Sequence, residues 1–133
     1  MAFQFSAAAR NAAIDAIETA AGTGPTLEIR SGAAPATCAT ADSGTVLATL
    51  ALPSDWLAAA SGGSKTISGT WQDLSADATG TAGHFRVKQG ATCHIQGSIT
   101  ATGGGGDMTL DNTSIAVGQQ VTVTAFTLTA GGA

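Results

Sequence analysis

The side chains able to bind a soft metal are His84, His94, Cys38 and Cys93, and a zinc site would need nearly all of them. Cys93 and His94 are consecutive on a segment that reads as a strand, so they point to opposite faces and cannot share one ion without a bulge. No metal and no other cofactor is expected, and both histidines read as ordinary core or surface residues. For the cysteines two readings stay open: a pair of small buried hydrophobes, or a Cys38–Cys93 disulfide joining a loop to a strand. Synthesis in a cytoplasm disfavours the bond during folding, whereas a protein that later leaves the cell can oxidise.

The remaining constellations point away from catalysis. A serine or cysteine nucleophile needs a base and an orienting acid, and no Gly-x-Ser-x-Gly elbow is present. Asp73, Asp77, Asp107 and Asp111 supply carboxylates, but they fall at turns and strand ends, where aspartate serves solvation and turn chemistry. Gly103 to Gly106 lacks the lysine and following helix of a phosphate cradle, and Asp107, Asp111 and Asn112 do not match a calcium-loop interval. The chain is expected not to be an enzyme. Trp56 and Trp71 are the largest side chains available: Trp71, in a strand, reads as a core anchor, and Trp56, in a crossover, reads equally as core or contact.

The elements that must position these residues follow from periodicity. Ser6 to Ala21 carries the one long helical pattern, with Ser6 as N-cap and Gly22 as terminator. Ala7, Ile14, Ile17 and Ala21 are expected on its dry face, with Asn11, Asp15 and Glu18 opposite. From Gly24-Pro25 onward the period becomes two. Strands are expected at Thr26 to Ser31, Thr45 to Leu52, Ser64 to Trp71, Gly83 to Lys88, Thr92 to Ala101, Asp107 to Leu110, Ser114 to Val117 and Gln120 to Thr129, the last with a bulge near Ala125. Residues 31–44 read as a loop, and Pro53 to Gly63 as a crossover with a short capped helix at Trp56 to Ala60. The fold class is thus mainly β: an antiparallel β-sandwich or jelly-roll-like domain over residues 26–133, preceded by an arm and helix over residues 1–25, all one folding unit.

With 133 residues, 44% of them hydrophobic, the chain can bury a single core. No run approaches the roughly 20 apolar residues of a membrane helix, and no secretory start is visible, so a soluble protein made in the cytoplasm is expected. A net charge of −4 with only 11% charged residues leaves no basic patch for nucleic acid.

Several segments occur in a familiar order: Leu27-Glu28-Ile29-Arg30-Ser31-Gly32-Ala33-Ala34-Pro35, Leu47-Ala48-Thr49-Leu50, Gly80-Thr81-Ala82-Gly83-His84-Phe85-Arg86-Val87, Gly97-Ser98-Ile99, and Asp107-Met108-Thr109-Leu110-Asp111-Asn112. From Thr26 to Thr129 the chain resembles small head decoration, or cement, proteins of tailed bacteriophages. That resemblance implies a virion structural protein on the capsid surface. Its partner would be the major capsid protein, and dimers or trimers would bridge neighbouring subunits against the pressure of packaged DNA. Phe3 and Phe5 on the N-terminal arm, with Trp56, are the candidate contacts. A tail-fibre or receptor-binding module and a tail-tube or head-closure subunit are the alternative roles.

Overall fold

The computed structural model describes residues 3–133, so Met1 and Ala2 of the expected arm lie outside the described residues. Helix α1 (Ala7–Ala21) starts where the Ser6 hydroxyl accepts the Ala9 amide at 3.1 Å. It ends at Gly22, whose φ of +84° is open to glycine at little cost. Eight of its fifteen residues are alanine, the strongest helix former.

Ten strands follow: β1 (Thr26–Ser31), β2 (Val46–Ala51), β3 (Ser64–Thr66), β4 (Trp71–Asp73), β5 (Gly80–Gln89), β6 (Thr92–Ala101), β7 (Met108–Leu110), β8 (Ser114–Ile115), β9 (Val121–Val123) and β10 (Thr127–Thr129). The main sheet runs β2-β1-β5-β6-β7, with β8 joined to the start of β5, and two short ladders pair β3 with β10 and β4 with β9. The protein is therefore mainly strand with one N-terminal helix, and its sheet is mixed. Every pairing is antiparallel except β6 with β7.

That parallel pair departs from the expected all-antiparallel sheet, and the glycines explain it. Parallel neighbours usually need a crossover of a dozen or more residues, yet here Thr102 to Asp107 suffices. Gly103 and Gly105 take φ of +89° and +81°. A Cβ on Gly104 would meet the Thr100 side chain at 2.7 Å. The glycine run is a fold-closing turn.

Alternation in β1 and β5 sorts the two faces of the sheet. Leu27 and Ile29 lie opposite Val87 and Phe85 on the core side, where Trp56, Trp71, Val121, Val123 and Phe126 close over them. Glu28 and Arg30 lie opposite Arg86 and His84 on the other side.

Four further expectations are corrected. No helix forms at Trp56 to Ala60: Leu57 bridges Ile67, and the Ala58 amide donates to Thr66 O at 2.8 Å. Burying Trp56 and Leu57, adjacent in sequence, favours extended backbone with one residue on each side. The expected strand from Ser64 to Trp71 is split into β3 and β4, with Gly69 at φ +73° between them. The expected bulge near Ala125 is a complete break, because β9 and β10 pair with different partners. On α1 only Ile14 and Ala21 of the expected dry face are buried, while Ala7 and Ile17 are exposed. At about 100° per residue, Asn11 and Glu18 lie within about 60° of Ile14 and so face the body with it.

Candidate functional site

Two features stand out: a charged face beneath a loop, and a largely apolar face on the helix. The first begins with period-two placement of Glu28, Arg30, Arg86 and Lys88 on the side of β1 and β5 away from the core. Residues 32–44 cross this face as a strap. Arg86, only 2% exposed, donates to Asp42 Oδ1 at 2.5 Å, to Gln96 Oε1, and to the Thr37 and Thr40 carbonyls at 2.9 Å each. Lys88 reaches Asp42 Oδ2 at 2.6 Å, and Arg30 bridges Glu28 at 3.0 Å and Asp42 at 3.3 Å. Gln96 Nε2 donates to Pro35 O at 2.7 Å. Hydrogen bonds from Lys88 and then Arg86 hold the Asp42 carboxyl at about 2, well below its ordinary 3.8.

The strap is also covalently fixed. Cys38 on it and Cys93 on β6 form a disulfide, with Cα atoms 5.2 Å apart. Near its start His84 Nδ1 lies 2.8 Å from Gly32 O, so that nitrogen carries the hydrogen, while the buried Nε2 has no partner among the described residues. Gly83 is required there, because a Cβ would collide with the Gly32 carbonyl. These contacts give Cys38, Cys93 and His84 structural work, and His94 sits on β6 half-buried.

The helix side holds a second ion cluster, built on a buried lysine. Lys65 Nζ lies 2.5 Å from Asp15 Oδ1 and 2.7 Å from Glu18 Oε1. Burial pulls this amine down, but the two carboxylates outweigh burial and raise it above its ordinary 10.5. Asn11 Oδ1 accepts the Gly63 amide, and Arg10 donates to the Phe5 and Gly62 carbonyls. All five Lys and Arg side chains are therefore engaged within the molecule.

With Asn11 and Glu18 turned toward the body, α1 presents alanines and Ile17 outward. Beside them Phe3 is 90% exposed and Phe5 56% exposed. Phe5, Ala9, Arg10, Ala13, Ile14 and Ile17, with Thr129 to Gly131, line a groove of about 510 Å³. The Phe5 amide donates to Gly132 O at 2.7 Å, which fixes the groove wall.

The structure separates the expected contact residues. Phe5 lies on this face and Phe3 is exposed, whereas Trp56 is fully buried, its indole donating to Gly22 O at 3.0 Å, and is corrected from contact to core. Trp71 is likewise buried and donates to Trp56 O. The aspartates act as fasteners: Asp73 and Asp77 both bind Thr49, Asp107 accepts from Ser98, and Asp111 from Thr102. Sequence reasoning missed the strapped face. Its signal was alternation: three of the five cations share one face of two strands. No family model, curated protein or solved structure matches the chain.

Proposed function

We propose that this protein is a non-enzymatic structural component of a bacteriophage particle, a capsid decoration or cement protein that binds the outer shell and bridges neighbouring capsid subunits. The observation that carries the reading is the pairing of a braced body with one largely apolar face. The strap is held by a disulfide and an ion cluster around buried Arg86, while the alanines and Ile17 of α1 with Phe5 offer a largely apolar groove that Arg10 edges. Cement acts by many modest interfaces repeated over a shell, and a stiff subunit transmits load between them. In this reading the β3/β10 and β4/β9 ladders form the second layer of a jelly-roll-like sandwich over the main sheet. The major capsid protein is the partner, no cofactor takes part, and the mature protein resides on the virion.

The test uses purified protein and DNA-filled heads lacking it. Sedimentation with the heads, and a rise in their disruption temperature, is the expected result. Binding to tails instead, or absence of the protein from purified virions by mass spectrometry, overturns it.

A further inference from the structure

We infer that the face beneath the strap is a latched oxyanion site: Asp42 fills it while the Cys38–Cys93 disulfide is closed, and reduction of that bond frees it for a divalent oxyanion of the phosphate type. The inference goes beyond the structural role above and does not depend on it.

The site is made by β1 and β5, where Glu28, Arg30, Arg86 and Lys88 share one side of the sheet. All three cations are buried, and all three converge on one carboxylate. Arg86 meets Asp42 Oδ1 at 2.5 Å, while Lys88 at 2.6 Å and Arg30 at 3.3 Å meet Oδ2. With Asp42 lifted away, Glu28 is the one carboxylate among the described residues still paired with them. Three cations against one carboxylate leave the face at +2, in a chain whose net charge is −4.

That charge selects the ligand. A monocarboxylate such as Asp42 leaves one positive charge uncompensated, whereas a divalent oxyanion neutralises the face. The Arg86 fork suits phosphate oxygens, which guanidinium binds through paired N–H donors, and its Thr37 and Thr40 carbonyl partners leave with the strap. Gln96 Nε2, released from Pro35 O, adds a neutral donor.

The strap can lift without opening the core. It joins the antiparallel neighbours β1 and β2, leaving and rejoining the sheet at Gly32 and Gly44, whose φ are +78° and +68°. None of residues 32–44 is buried or belongs to the hydrophobic core, which lies on the opposite side of β1 and β5. Its attachments to the face are the disulfide and polar contacts, which water or an anion can replace.

The latch opens by thiol–disulfide exchange with a dithiol, and both cysteines are half-buried, within its reach. The reductant's thiolate attacks one sulfur, the S–S bond breaks and the released thiolate takes a proton. The reductant's second thiol then closes its own disulfide, freeing the other cysteine as a thiol. Once cut, the strap holds Asp42 over the face as a flexible tether, at roughly millimolar effective concentration, so millimolar phosphate competes with it. A reducing compartment thus opens the site and an oxidising one closes it.

Isothermal titration with inorganic phosphate tests this on the full chain, at low ionic strength and mildly alkaline pH, where the ligand is a dianion. The oxidised wild type is expected not to bind at millimolar phosphate. The chain reduced with dithiothreitol and the Cys38→Ser/Cys93→Ser variant are expected to bind at least about tenfold more tightly than the oxidised chain. Asp42→Ala, which empties the carboxylate's place and keeps the disulfide, is expected to bind as well, and it reports on the site independently of how the cysteine variant folds. Arg86→Met added to Asp42→Ala abolishes binding, and acetate at matched ionic strength binds Asp42→Ala at least about tenfold more weakly than phosphate. Equal phosphate binding by oxidised and reduced wild type, no binding by Asp42→Ala, or binding that survives Arg86→Met overturns the inference. So does a reduced chain that keeps its circular dichroism spectrum yet stays closed to phosphate, or acetate binding as tight as that of phosphate.

Discussion

Replacing Arg86 with methionine keeps most of the side-chain volume in β5 and removes the fork that holds the strap. Breaking a buried ion pair by removing one partner costs about 3–5 kcal/mol. Two features lower that figure here. Asp42 keeps Lys88 at 2.6 Å and Arg30 at 3.3 Å, with a third of its side chain still in water. The freed Thr37 and Thr40 carbonyls belong to exposed residues and can rehydrate. The expected loss is therefore about 2–4 kcal/mol, a large part of the roughly 5–15 kcal/mol available to a domain. Urea unfolding measures it as a fall of about 1–2 M in midpoint at unchanged slope. Arg86→Lys, which keeps charge without the fork, falls between. The coupling is the sharper readout. If the guanidinium and the disulfide hold one strap, Arg86→Met combined with Cys38→Ser and Cys93→Ser departs from additivity by about 1 kcal/mol or more. A loss under about 1 kcal/mol, or additivity within about 0.5 kcal/mol, refutes the strap as a single braced unit.

Three other outcomes are expected. Reducing the Cys38–Cys93 bond, which spans a sequence separation of 55, lowers stability by up to about 4 kcal/mol on the chain-entropy estimate, seen as a lower melting temperature with dithiothreitol. Asp42 titrates lower in the folded than in the unfolded chain, so its contribution is complete above its ordinary 3.8 and disappears as pH falls toward 2. After discounting for solvent, that is about 1–2 kcal/mol, and Asp42→Asn should flatten the acid limb of a stability–pH curve. Gly83→Ala forces a Cβ against the Gly32 backbone and should cost about 2–3 kcal/mol; a neutral result at that position means the strap does not lie against β5.

Much of the fold is legible because it is local. Ser6 and Gly22 bracket α1 by capping chemistry alone, and β1 and β6 begin and end where alternation and glycine turns set them. Elements failed where partners lay far away in sequence. Trp56 to Ala60 has helical composition, but pairing with residues 64–68 draws it into extended backbone. Gln120 to Thr129 reads as one strand, and divides because β4 and β3 each take half of it.

The candidate sites divide along the same line. Residue type and spacing alone determined that metal ligands are scarce, that the aspartates sit at turns, and that cations alternate with core residues in β1 and β5, because those are properties of the covalent chain and its period. Only tertiary structure decided that Trp56 is core, that Asp42 comes to lie among Arg30, Arg86 and Lys88, that Cys38 meets Cys93, and that Asp15 and Glu18 of α1 pair with Lys65. Those outcomes join residues as many as 55 positions apart, and the energy that brings them together is long-range burial and charge pairing, which no local pattern encodes.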